Sequence, residues 1–147
     1  MIDWSRMIAP EVRAAGVLAG ARETARAAVR DWTLAVTQRL TGDVPLTEML
    51  AWSPKEAVAR AWLADPKAAV PDLLAGEALV TGEDIAALST RVVASAGAWR
   101  ATQAMLTGLR RRADTALDAA RTPEDVARAL DAVMADADDA AARLGRG

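Results

Sequence analysis

Residues 116–130, ALDAARTPEDVARAL, contain the end of one helical pattern and the start of another. Thr122 is a favoured N-cap residue, and Pro123 is favoured at the first position of a helix. Glu124 and Asp125 follow in the first turn, where carboxylates complement the helix dipole. Because so few residues separate the two helices, the sequence predicts that they form an antiparallel hairpin.

Apolar repeats extend in both directions from this turn. Upstream, a heptad runs through positions 85, 92, 99, 106 and 113 and through 88, 95, 102, 109 and 116, with a small, polar middle at Ser95 and Thr102. Downstream, the apolar positions alternate in steps of four and three at Val126, Leu130, Val133, Ala137, Ala140 and Leu144. We therefore expect helices over 83–120 and 123–144. The side chains expected to hold them together are Leu88, Val92, Trp99, Leu106, Leu109, Val126, Leu130 and Val133.

The N-terminal part predicts one long helix and the middle predicts short ones. Pro10 opens the long helix, Gly42 ends it, and its apolar stripe is Ala25, Val29, Trp32, Val36 and Leu40. Prolines and glycines interrupt residues 43–82, where short helices are expected at 46–52, from the capping box at Ser53–Glu56 to Asp65, and at 72–80. The prediction is an all-α, elongated helical bundle with more than 65% helix. Its segments are 1–42, 43–82 and 83–147, within one compact unit.

Composition excludes several classes of chemistry. Alanine fills 37 of the 147 positions, while cysteine and histidine are both absent. Disulfides, thiolate nucleophiles, Cys/His zinc sites and histidine acid–base catalysis are therefore excluded. With a net charge of −2 and no apolar run long enough to span a bilayer, we expect no nucleic-acid partner, no membrane association, no cofactor and no metal.

The charged clusters have structural interpretations. We expect Glu83 and Asp84, like Glu124 and Asp125, to lie in first helical turns. The aspartates at 136, 138 and 139 lie within a helical pattern and are interpreted as a solvated face, with Asp139 pairing with Arg143. The three arginines at 110–112 fan around the helix and do not make one basic patch.

Two features suggest contacts with other chains. Gly16 and Gly20 lie one turn apart in the first helix, where each glycine costs about 1 kcal/mol relative to alanine, so a close approach of another helix is expected there. The lead-in before that helix is short and apolar, and its candidate interface residues are Ile2, Trp4, Met7 and Ile8. We expect it to contact a neighbouring chain in a homo-oligomer or a permanent complex. The alternative is a self-contained bundle.

Two stretches carry a resemblance to a known group of proteins. Residues 1–8, MIDWSRMI, followed by Glu11 and Arg13, resemble the opening of small proteins encoded among tail genes of bacteriophages and prophages. Residues 109–113, LRRRA, and 119–126, AARTPEDV, are similar to the C-terminal part of tail-fibre-associated phage proteins.

The resemblance implies a non-enzymatic structural protein of the phage particle, in the tail-fibre or tail-tip region. It would be made in the host cytoplasm and would bind other tail or fibre subunits. The alternative is a tail-fibre assembly chaperone that is not retained in the virion. No catalytic residue is carried over, and an enzyme would have to work with serine, lysine and carboxylates alone.

Overall fold

The structure is a computed structural model that describes residue 1 and residues 9–144. Five helices and no strands make up the described part, of which 86% is helical. The helices are α1 (Pro10–Thr41), α2 (Leu46–Ala64), α3 (Asp72–Thr81), α4 (Ile85–Ala119) and α5 (Pro123–Leu144). The prediction of an all-α helical bundle with more than 65% helix is therefore confirmed.

Most of the predicted helix ends are confirmed. Gly42 and Gly82 follow α1 and α3 with φ of 60° and 74°, a left-handed conformation that glycine adopts without strain. Asp84 caps α4, since its Oδ2 accepts hydrogen bonds from the backbone N–H groups of Ala86 and Ala87 at 3.0 and 3.1 Å. At α5 the bonds are reciprocal: the N–H of Asp125 donates to Thr122 Oγ1, and the N–H of Thr122 donates to Asp125 Oδ2.

The prediction of a helix start at Ser53 is wrong. Helix α2 begins at Leu46, after Pro45, and runs without a break through Pro54 to Ala64. The capping box does not form, because the carboxylate of Glu56 binds Arg60 and Arg100 instead. A proline inside a helix removes one backbone hydrogen bond, so the continuity of α2 depends on the packing of its flanking residues.

The chain forms two compact units. We call Met1–Leu40 together with Met105–Gly147 the terminal unit, and Thr41–Ala104 the central unit. One division falls at the end of α1 and the other inside α4. The predicted boundaries at 42/43 and 82/83 fall in the connections that follow α1 and α3, and both lie within the central unit.

The terminal unit has a thin core between α1, the C-terminal half of α4 and α5. One cluster joins Ala25, Leu117, Ala120 and Val126, and the next joins Val29, Ala113 and Val133. Residue numbers rise along α5 as they fall along α4, so the two helices are antiparallel here, as predicted.

The predicted hairpin does not extend over the whole of α4. Leu88 and Val92 pack in the central unit with Ala59 and Leu74, and Trp99 contacts Trp52. At 1.5 Å per residue, α5 is about 33 Å long and α4 about 52 Å, so α5 covers only part of its neighbour. The heptad of α4 is nevertheless buried or half-buried at every position except Ser95.

Candidate functional site

The predicted contact face at Gly16 and Gly20 lies on the exposed side of α1. Ala25, Val29 and Val36 mark the buried side of this helix, which lies roughly opposite at 100° per residue. A Cβ built on either glycine meets no described atom within 4 Å. Within the described chain, therefore, no helix approaches these glycines. In the apolar stripe that the sequence predicts for α1, only Leu40 is exposed.

The other four predicted interface residues, Ile2, Trp4, Met7 and Ile8, lie outside the described residues. Their proposed contact with a neighbouring chain stays a prediction. The remaining four tryptophans, Trp32, Trp52, Trp62 and Trp99, are all half-buried.

The central unit exposes large apolar side chains that the sequence analysis did not single out. Leu79 and Val80, at the end of α3, are each 86% exposed, and Leu73 of the same helix is 46% exposed. On α2, Leu46 and Leu50 are each 69% exposed. A signal was present in the sequence, because leucine, valine and alanine lie all around α3, whose charged residues are Asp72 and Glu77, while only Leu74 among its residues is fully buried.

A buried carboxylate joins α2 to α4 in the central unit. The side chain of Glu56 is only 8% exposed, while those of Arg60 and Arg100 are 54% and 57% exposed. Arg60 Nε donates to Glu56 Oε1 at 2.7 Å, and Arg100 Nη1 donates to Oε2. Hydrogen bonds from Arg100 and then Arg60 hold the pKa of Glu56 below its ordinary value.

Next to this carboxylate, an aromatic pair makes a second contact between α2 and α4. The ring centroids of Trp52 and Trp99 lie 5.3 Å apart with an interplanar angle of 85°, which is an edge-to-face arrangement. Because both oxygens of Glu56 are occupied by arginines, this centre is suited to joining helices and is poorly suited to proton transfer.

Two polar groups of the central unit are buried without a hydrogen-bond partner among the described residues. They are Trp62 Nε1 and Ser89 Oγ, and Ser89 is fully buried in α4. No described base is therefore hydrogen-bonded to this serine.

In the terminal unit, arginines of α1 reach across to α4. Arg22 Nε donates to the carbonyl of Leu117 at 3.0 Å, and its Nη2 donates to the carbonyl of Ala120 at 2.6 Å. These carbonyls end α4 and have no partner within that helix. Arg26 forms salt bridges with Asp114 and Asp118.

Helix α5 is joined to the other two helices by polar contacts of its own. Arg112 of α4 pairs with Asp136, and the indole N–H of Trp32 on α1 donates to Asp138 Oδ1 at 2.9 Å. The predicted pair between Asp139 and Arg143 is not formed, which leaves Asp139 exposed.

An open groove runs between α1 and α4 in the terminal unit. We call it the α1–α4 groove; its volume is about 510 Å³, and it is lined by Arg26, Val29, Arg30, Arg110, Ala113, Asp114 and Asp118. The arginines at 110–112 diverge as predicted: Arg110 lines the groove, Arg112 pairs with Asp136, and Arg111 does neither. The groove was not predicted from the sequence.

Of the four carboxylates predicted in first turns, Glu124 and Asp125 lie in the first turn of α5, whereas Glu83 and Asp84 precede α4, and Asp84 caps that helix from there. Asp125 has its pKa lowered chiefly by the backbone N–H of Arg121 and then by Arg128. Glu83, predicted in a first turn, lies before α4 and binds Arg91 at 2.7 Å, which lowers the pKa of the glutamate. The described part contains no group of three or more acidic side chains able to hold a metal ion, and no described helix is both long and apolar enough to cross a bilayer.

Comparison with family models, curated proteins and solved structures finds no match to this chain. The α1–α4 groove, the exposed apolar residues of the central unit and the outer face of α1 are therefore interpreted from their own geometry.

Proposed function

We propose that the protein is a non-enzymatic structural component of a phage particle, located in the tail-fibre or tail-tip region. It acts through contacts that its helices make with other tail or fibre subunits and with further copies of itself. The phage assignment rests on the sequence resemblance of residues 1–13 and 109–126 described above.

The exposed apolar residues of the central unit are the observation that carries the interaction role. Leu79 and Val80 are 86% exposed at the end of a helix whose remaining surface is also largely apolar. Apolar surface of this kind on a soluble protein marks sites of contact with other proteins. Leu46 and Leu50, near the N-terminal end of α2, add to this exposed apolar surface.

The side chains available for chemistry support the same role. The buried carboxylate of Glu56 is held by Arg60 and Arg100, and Lys55, one of only two lysines, pairs with Glu77 at 2.5 Å. The polar groups that reach between helices are thus used to join them.

Mass spectrometry of purified particles tests the proposal. Particles from the phage or prophage that encodes the chain should contain it in a constant ratio to the fibre and tail-tip subunits. If the chain is absent but its deletion yields particles without fibres, the assembly-chaperone alternative is correct. If it is absent and its deletion leaves the particles unchanged, both are wrong.

A pair of variants tests the apolar contact itself. Leu79→Glu should reduce incorporation into particles strongly, because a carboxylate would be desolvated at the interface. Ala94→Glu, at an exposed position of α4, is the matched control and should be incorporated normally. Equal incorporation of the two variants would show that α3 is not the contact.

A further inference from the structure

The α1–α4 groove has an apolar floor and charged walls. Val29 and Ala113 at its base are 5% and 2% exposed. The two wall carboxylates, Asp114 and Asp118, are both taken by Arg26, and Arg30 pairs with Glu23 outside the groove at 2.9 Å. Arg110 has no ion pair among the described residues, so it is the charged side chain of the groove without a described ionic partner.

The groove lies on the side of the α1–α4 pair that α5 leaves uncovered. Val133 of α5 packs against Val29 and Ala113, yet no residue of α5 lines the groove. Two packed helices with a third on one side leave, on their other side, a furrow of the kind into which the side-chain ridges of another helix fit. The shape of the groove therefore suits a helix.

The outer face of α5 carries charge opposite to that of Arg110. On the side away from its buried stripe of Val126, Val133 and Ala137, α5 exposes acidic side chains. These are Glu124, Asp131 and Asp139.

The rest of this face favours close approach. The basic residue among these carboxylates, Arg128, is held by Asp125 at 2.5 Å. Ala127 and Ala135 lie between the acids and are small enough to let another helix come near. Asp131 and Asp139 have no ion pair among the described residues and are free to meet a cation of another chain.

From these two surfaces we infer that the α1–α4 groove binds the acidic outer face of α5 from a second copy of the chain. This inference rests on the proposed function and specifies the self-association that it includes. The groove and the face are different surfaces of one terminal unit, so the contact is head-to-tail and generates a ring or an open filament. Asp131 or Asp139 of one copy pairs with Arg110 of the next.

Salt dependence and one pair of variants test the contact in the full chain. Sedimentation velocity should show self-association that weakens as ionic strength rises, because the pairs lie near the surface. Arg110→Glu should weaken association about tenfold, since it replaces attraction by repulsion. Arg111→Glu makes the same change of charge one residue away, outside the groove, and should leave association unchanged.

A charge exchange tests which surfaces meet. The double variant Asp131→Lys/Asp139→Lys should likewise associate more weakly when it is alone. Mixed with Arg110→Glu, however, it should associate, because each groove then finds an α5 face of opposite charge. Circular dichroism of each variant checks that the helices are intact.

Each outcome decides the matter. A chain that is monomeric at low ionic strength, equal effects of Arg110→Glu and Arg111→Glu, or no association in the mixture would overturn the inference. So would a groove that binds DNA or an unrelated acidic protein in preference to a second copy. If the chain is found in particles but is monomeric in solution, only this contact is refuted. If the chain self-associates in a salt-sensitive way but is absent from particles, only the structural role is refuted.

Discussion

The terminal and central units are built from the same alanine-rich helices but close their cores with different side chains. In the terminal unit the core is thin, with Ala25, Ala113 and Ala120 among its buried residues, and arginines of α1 reach over it to α4. In the central unit Leu74 and Leu88 are fully buried, and a tryptophan pair and a buried carboxylate stand beside them.

The exposed side chains of the two units also differ. In the terminal unit the α1–α4 groove and α5 expose charged side chains, and α1 exposes Val12, Val17 and Leu34 at 63%, 57% and 58%. The most exposed apolar side chains of the helices are Leu79 and Val80 of the central unit, at 86%. A chain with few large apolar residues can join its helices either by close approach of small residues with polar contacts beside them or by a few large buried side chains.

The largest expected effect is the loss of a large filler from the central unit. Leu74→Ala should lower the free energy of unfolding by about 2–5 kcal/mol, because the fully buried side chain leaves a cavity. Urea unfolding followed by tryptophan fluorescence measures it, since Trp52, Trp62 and Trp99 all lie in this unit. Leu73→Ala is the matched control, as Leu73 is partly exposed, and an equal loss there would contradict the assigned core.

The next effect concerns the polar contacts of the terminal unit. Arg22→Ala should cost about 1–3 kcal/mol, because the carbonyls of Leu117 and Ala120 lose a charged donor. Arg39→Ala, which removes an exposed arginine from the same helix, provides the comparison in urea melts. If both substitutions cost the same, the contact of Arg22 with α4 does not stabilise the unit.

A smaller effect is expected at the cap of α5. Thr122→Ala removes the acceptor for the N–H of Asp125 and should cost about 1 kcal/mol. Thr115→Ala should be close to neutral, because that hydroxyl only bonds back to the carbonyl of Arg111 within α4. Thermal melts of the two variants check the difference, and its absence would mean that the cap is dispensable.

The smallest expected effect is a pH dependence of stability that arises from Glu56 in the central unit. The pKa of Glu56 lies below its ordinary value of 4.5 in the folded state, so the ionised carboxylate favours folding. This contribution is fully present above the pKa of the unfolded chain and is lost as the pH falls through the folded pKa. Water screens it, because Arg60 and Arg100 are both more than half exposed.

The variant Glu56→Gln isolates that contribution. Its urea midpoint should lie below that of the wild type at neutral pH, and the gap should close as the pH falls below 4.5. A gap that is constant over this range would show that the amide loses packing rather than charge. Asp43→Asn, at an exposed position between α1 and α2, serves as the matched control.

Local signals in the sequence determined the helices and most of their ends. Alanine content and apolar periodicity predict α1, α4 and α5, and Gly42, Asp84 and Thr122 lie where the chain needs a left-handed turn or a capping oxygen. Such signals act within a few residues, so they can be read without knowing what packs against the helix. The close approach predicted at Gly16 and Gly20 is different, because only a partner outside the described chain could provide it.

The tertiary structure alone decided which residues meet. Helix α2 continues through Pro54 because residues of α4 bind Glu56 and Trp52, which flank this proline in α2. The heptad of α4 is shared between the two units because α5 is too short to cover all of it. Arg22 caps a helix 95 residues away, and Arg110 rather than Arg111 enters the groove. These outcomes depend on the packing of segments that are distant in the sequence. Such contacts do not produce a periodic pattern of residues from which they could be predicted.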